Sequence, residues 1–144
     1  MNPGAPARRR PLLSFLRRLA AQAPQTVIGI VAREDWAAVR EAFDDEVVFH
    51  VAGTNQFSGT YRGKEDVFQL FERRNESTGS TVELDIHSIV ADDEHAIALI
   101  TMRAQRAGKR ADWRTAGIYH MRDGKIAEAW GFNEDQRVVD EFWS

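Results

Sequence analysis

Between residues 82 and 132 apolar side chains recur at every second position, and turn signals interrupt the pattern at three points. This stretch restricts the fold more than any other feature of the chain. Val82, Leu84 and Ile86 alternate with Glu83, Asp85 and His87, the mark of a strand with one buried face. Asp92-Asp93 turns the chain into a long strand over about 95–106. Ala107-Gly108-Lys109 is a short hairpin connection, and 110–121 returns antiparallel. Asp123-Gly124 is the strongest local signal, because a two-residue type I′ turn needs positive φ at both positions and Asp-Gly tolerates it. It leads into a strand over 126–132, which completes a four-stranded meander.

The period upstream is helical. Pro24 interrupts a first apolar region, and a kinked or two-piece helix is expected from Gln25 to Arg33, with Val27, Ile28, Ile30 and Val31 as its apolar positions. Trp36, Val39, Ala42 and Phe43 predict a second short helix entered at Glu34 or Asp35. Asp44-Asp45 then marks a turn before a strand over 46–51, and residues 53–63 read as a loop. Lys64 to about Asn75 returns to helix, burying Val67, Phe68, Leu70 and Phe71, with Gly79 closing it. Helices followed by a meander describe one α+β domain, with helices packed on one face of a curved antiparallel sheet. A chain of 144 residues has room for a single core.

Composition narrows the chemistry. Cysteine is absent, which excludes disulfides, thiolate nucleophiles and sulfur-ligated zinc. No stretch of about 18 apolar residues exists to span a membrane. A soluble, cytoplasmic protein is expected, without membrane association. The net charge of −3 conceals an asymmetry: residues 1–33 hold six Arg and no acid, so a basic arm precedes an acidic body. Arg17-Arg18 cuts the apolar run of that arm too short for a secretion signal. Leu12, Phe15, Leu16 and Leu19 share one helical face, which suits a solvated or loosely docked helix. The acidic remainder argues against nucleic acid as a partner. The expected division is a basic extension over 1–22 and a folded domain over 23–144.

Three runs carry a resemblance: Asp44-Asp45 to Phe49-His50-Val51-Ala52-Gly53; Phe57-Ser58-Gly59-Thr60-Tyr61-Arg62-Gly63 with its helix; and Asp123-Gly124-Lys125-Ile126-Ala127-Glu128-Ala129-Trp130 followed by Asp135-Gln136. Together they resemble the SnoaL-like branch of the nuclear-transport-factor-2-like superfamily over about 25–143. The resemblance implies a cone-shaped sheet wrapped around N-terminal helices, with an internal pocket, often homodimeric through the sheet. Members include ketosteroid isomerases, polyketide cyclases, epoxide hydrolases, dehydratases and binding proteins, so the fold alone leaves function open.

The resemblance also nominates residues. His50 stands where the isomerases carry their catalytic carboxylate, and an imidazole can serve as base or, when charged, as proton donor; the alternative is a histidine that only shapes the pocket. Tyr119 falls near the oxyanion-binding acid, where a phenol can donate to a developing enolate; tyrosine is equally an ordinary strand residue. Strand alternation places Trp113, Thr115, Gly117 and Tyr119 on one face, and Asp112, Arg114, Ala116, Ile118 and His120 on the other. The cyclases follow their Trp with a catalytic Asp, but Trp130 is followed by Gly131, which leaves Asn133 and Asp135 as nearby polar groups. Asp135 is either an acid–base group or the cap of a C-terminal helix, and the cap is favoured. Phe57, Tyr61, Phe68, Trp113 and Trp130 are the candidate aromatic lining, with hydrophobic core as the alternative. Asp112 and Arg114 read as a solvated outer pair, and His87, His95 and His120 as surface histidines without metal-ligand spacing.

The expectation is a cofactor-independent isomerase or cyclase, without a metal, acting on a hydrophobic carbonyl-bearing small molecule such as a polyketide intermediate. The alternative is a non-catalytic binding or dimerisation module. Ile97, Leu99 and Ile118, or their alternating neighbours, put apolar groups on both faces of the sheet, so a homodimer through the sheet is expected. Strand alternation leaves open which set faces outward.

Overall fold

A computed structural model describes residues 36–92 and 94–144. The helices expected over 12–19 and 25–33, and the basic arm, lie outside these residues. Within them the order is α1 (Trp36–Ala42), β1 (Phe43–Val51), β2 (Gly59–Arg62), α2 (Lys64–Ser77), β3 (Glu83–Ala91), β4 (His95–Arg106), β5 (Lys109–Arg122), β6 (Lys125–Asn133) and α3 (Gln136–Trp143). One six-stranded sheet runs β2-β1-β6-β5-β4-β3. The meander β3 to β6 is antiparallel throughout, and β1 joins it by lying parallel to β6, with Phe49 opposite Ala129 and His50 opposite Trp130. The sheet is curved and unclosed, and the α+β class follows directly.

Two of the three hairpins of the meander turn on two residues at positive φ. These are Ala107 (49°) with Gly108 (76°), and Asp123 (51°) with Gly124 (77°). Lys109 already belongs to β5, so the first connection is one residue shorter than the sequence suggests.

Two further differences from the sequence reading have physical causes. Asp44-Asp45 lies inside β1 and does not end a turn. Asp44 Oδ1 accepts the Glu46 N–H at 2.9 Å, and the register against β6 jumps between Phe43 and Val48, so the chain absorbs the acidic pair as a β-bulge. The loop expected over 53–63 contains β2. Thr60 and Tyr61 favour extended backbone, but the run is only four residues long and follows Gly59, so it is pairing with β1 (Phe49 opposite Tyr61, His50 opposite Thr60) that makes it a strand.

The inner face of the sheet packs on α2 and α3. Helix α2 buries Val67, Phe68 and Leu70, and each fully buried side chain of this kind stabilises by roughly 1.5–3 kcal/mol. One core cluster joins Val67 and Phe68 to Phe43, Val47, Ile126 and Ala129; a second joins Leu70, Phe57 and Trp113 to Val139, Phe142 and Trp143 of α3. Leu84 packs against both and against a third cluster formed by Ile86, Ala98 and Ile100.

Candidate functional site

Pairing register decides which side chains share a face. Tyr119 sits opposite Ala96 and Ala129, both buried, whereas His50 sits opposite Trp130. Ala129 and Trp130 are consecutive, so Tyr119 faces the helices and His50 faces away from them. The expectation that these two residues serve one ligand is corrected by this register.

Tyr119 is the notable polar group of the inner face. Its ring lies along the sheet over Gly117: a Cβ at Gly117 would meet the hydroxyl at 2.5 Å. Among the described residues the hydroxyl has no hydrogen-bond partner, and burial pushes its pKa up, so it stays a protonated donor at neutral pH. Tyr119 lies deep in the protein yet retains accessible surface, as do Phe49, Phe71, Leu84 and Met102 on the same side. The described side chains around the phenol are apolar.

The remaining aromatic candidates divide. Phe57 and Trp113 are buried against Trp143 and Phe142, with Phe57 edge-on to Trp143 at 5.1 Å. Phe68 packs edge-on to Phe43 and Phe71, both at 5.4 Å, and Tyr61 donates its hydroxyl to the Phe57 carbonyl at 2.8 Å. These four residues build the core beneath the inner face. Trp130 does not join them, because it lies on the outer face.

That outer face carries a ladder of rings. His50 stacks on Trp130 (5.1 Å, 15°), Trp130 meets His120 edge-on at 4.7 Å, and His120 meets His95 at 4.7 Å. His50 Nε2 lies 2.7 Å from Glu128 Oε1, and its Nδ1 lies 3.2 Å from Thr60 Oγ1. Val90, Ile97, Leu99 and Phe132 are exposed beside this ladder. A β-bulge between Ile86 and Ser88 turns Val90 outward. Arg114 forms a two-pronged ion pair with Glu134 (2.6 and 2.7 Å), and Arg103 lies 3.7 Å from Asp112, so Asp112 and Arg114 both face outward, as expected.

Asp135 is engaged as the cap of α3, where its Oδ1 accepts the N–H groups of Arg137 (3.0 Å) and Val138 (3.4 Å). Asn133, on the inner row of β6, donates to Gln136 Oε1 at 2.8 Å. Both stand at the end of the sheet where Asp140 collects hydrogen bonds from Asn55 Nδ2 (2.7 Å), the Thr54 N–H (3.0 Å) and Gln136 Nε2 (3.1 Å).

Two features escaped the sequence reading. Glu128 had no signal, since its partner His50 is 78 positions away. Arg74 had one: it continues the buried stripe Val67, Phe71 of α2 at helical spacing, where an apolar residue belongs. Its guanidinium lies 5.5 Å from the Phe57 ring and 5.4 Å from that of Trp143. Desolvation lowers its pKa to about 10, so it remains charged at neutral pH. Among the described residues no group of three or more His, Cys, Asp or Glu is arranged to hold a metal, and no helix is long and apolar enough to cross a membrane.

The family model for the SnoaL-like domain matches residues 14–129. The chain belongs to this family. Among curated relatives of this SnoaL-like chain is an uncharacterized protein of Mycobacterium bovis, 27% identical over 114 residues that cover 78% of this chain and 87% of the relative. Among solved structures, Bal32a from a soil-derived mobile gene cassette superposes with a TM-score of 0.81 at 23% identity, covering 95% of this chain and 99% of its own. TerC, co-crystallized with polyporic acid, superposes with a TM-score of 0.71 at 16% identity, covering 92% and 97%. The SnoaL-like fold also matches that of NTF2-like proteins, in line with the superfamily resemblance carried by the sequence.

Proposed function

We propose that the protein is a cofactor-independent isomerase or cyclase that holds a hydrophobic, carbonyl-bearing small molecule against the inner face of its sheet. The observation that carries this reading is the protonated hydroxyl of Tyr119, which has no hydrogen-bond partner among the described residues and sits in an apolar surround. A donor fixed there stabilises negative charge developing on a carbonyl oxygen more than it stabilises the neutral ground state. The apolar walls fix the ligand's conformation, which for a ring closure supplies part of the acceleration. A neighbour of the same fold accepted polyporic acid in its crystal, consistent with a small organic ligand in this fold.

A second reading, a non-catalytic binding module, is favoured by one observation. The inward strand positions described carry no Asp, Glu or His, because His50 faces out. Titration with 2-acetylnaphthalene, and assay of a panel of β,γ-unsaturated ketones by the ultraviolet absorbance of their conjugated products, separates the readings. Binding and turnover that both fall in Tyr119→Phe support the enzyme. Binding without turnover supports the module, and binding insensitive to Tyr119→Phe overturns the inner-face site.

A further inference from the structure

We infer that Arg74 is an anion-binding group of the inner site, and that the natural ligand carries a carboxylate on its apolar body. This rests on the reading of the inner face as a ligand site and names the chemical class of its occupant. The Arg74 guanidinium makes no hydrogen bond or ion pair with any described residue. Its Nε is shut off from solvent without a partner among the described residues. A buried cationic donor without a partner is costly, and a native fold keeps such a group where a ligand or solvent completes it.

The surroundings specify the complement. The guanidinium lies over the Phe57 and Trp143 rings. Arg73 lies over the same Phe57 ring at 5.3 Å but is exposed, so it needs no such complement. A planar guanidinium offering two terminal nitrogens matches the two oxygens of a carboxylate, and one buried cation balances a single negative charge but not the two of a phosphate dianion. Leu84 packs against the cluster that holds Phe57 and Trp143 and against both clusters that hold Tyr119, so the arginine and the phenol border one continuous apolar wall.

Calorimetric titration of the full chain with 2-naphthoate, methyl 2-naphthoate and 2-naphthyl phosphate tests the inference, with 2-acetylnaphthalene as the neutral ketone. The carboxylate is expected to bind at least about tenfold more tightly than its ester, the gain of one charge-assisted pair. Arg74→Met is expected to abolish that preference and Arg74→Lys to keep part of it. The acid-to-ester comparison in the unaltered protein decides the matter even if Arg74→Met does not fold. Equal binding of acid and ester, or a preference that survives Arg74→Met, overturns the anion site; if 2-acetylnaphthalene binding still depends on Tyr119, the inner-face reading stands without it. Preference for the phosphate overturns the carboxylate assignment. Failure of all four probes to bind overturns both.

Discussion

The Tyr119 hydroxyl occupies the space into which a side chain at Gly117 would project, 2.5 Å from the oxygen and 3.0 Å from ring carbon Cζ. Gly117→Ala must therefore push the phenol off the sheet. Alanine is otherwise favoured over glycine inside a strand by about 0.5–1 kcal/mol, so the stability of the variant should stay close to that of the parent in urea titration. Affinity for 2-acetylnaphthalene should fall to the level of Tyr119→Phe. Parent-like affinity would show that the phenol's position on the sheet is not what the ligand reads.

His50 is expected to be separable from the inner site. His50→Ala removes a hydrogen bond to Glu128 and a stack on Trp130, with a stability cost of about 1–2 kcal/mol for the two contacts. Ligand affinity should remain within about twofold, since no contact is lost on the inner face. A tenfold loss in a folded His50→Ala protein would refute the two-face arrangement.

Asp135 should behave as a cap. Asp135→Ala is expected to cost about 1 kcal/mol, and Asp135→Asn much less, because an amide oxygen also accepts the two N–H groups. Equal losses in both variants would point to the charge instead of the hydrogen bonds.

Asp140 gives a pH signature. The Asn55 side-chain hydrogen bond is the largest influence on its carboxyl; desolvation opposes it, and the Thr54 N–H and Gln136 add to it, so that the carboxyl is held below the ordinary carboxylate value. A depressed folded pKa stabilises above the unfolded value, and that stabilisation fades as pH falls through the folded value. The stability advantage of the parent over Asp140→Asn should be constant near neutrality and shrink below about pH 4. Melting curves from pH 7 to 3 supply the check; a gap that persists at pH 3 would mean that the contact does not depend on ionisation.

The outer face is expected to pair with a second copy of the chain. Val90, Ile97, Leu99 and Phe132 are exposed there, and ion pairs of both signs, Arg103 with Asp112 and Arg114 with Glu134, share that face. A two-fold axis through such a surface can bring each sign against the other. Sedimentation at micromolar concentration should give a dimer, and Phe132→Lys with Leu99→Lys should give a monomer. A parent that sediments at 16.3 kDa rules the pairing out.

The amino-acid sequence by itself determined the meander, the Asp123-Gly124 turn, helix α2, the cap at Asp135 and the two faces of β5, because period and turn chemistry are local properties. It could not decide which faces of different strands meet. A single extra residue in a strand reverses every side chain beyond it, and the register shifts in β1, in β3 and between β5 and β6. Whether His50 stands beside Tyr119 or behind it was settled by those bulges and by the parallel pairing of β1 with β6. The same holds for Arg74: its charge on an apolar stripe was legible, but the lack of a described counter-ion emerged only once Phe57 and Trp143 had closed around it. Burial and register are sums over distant segments, and only the folded chain evaluates them.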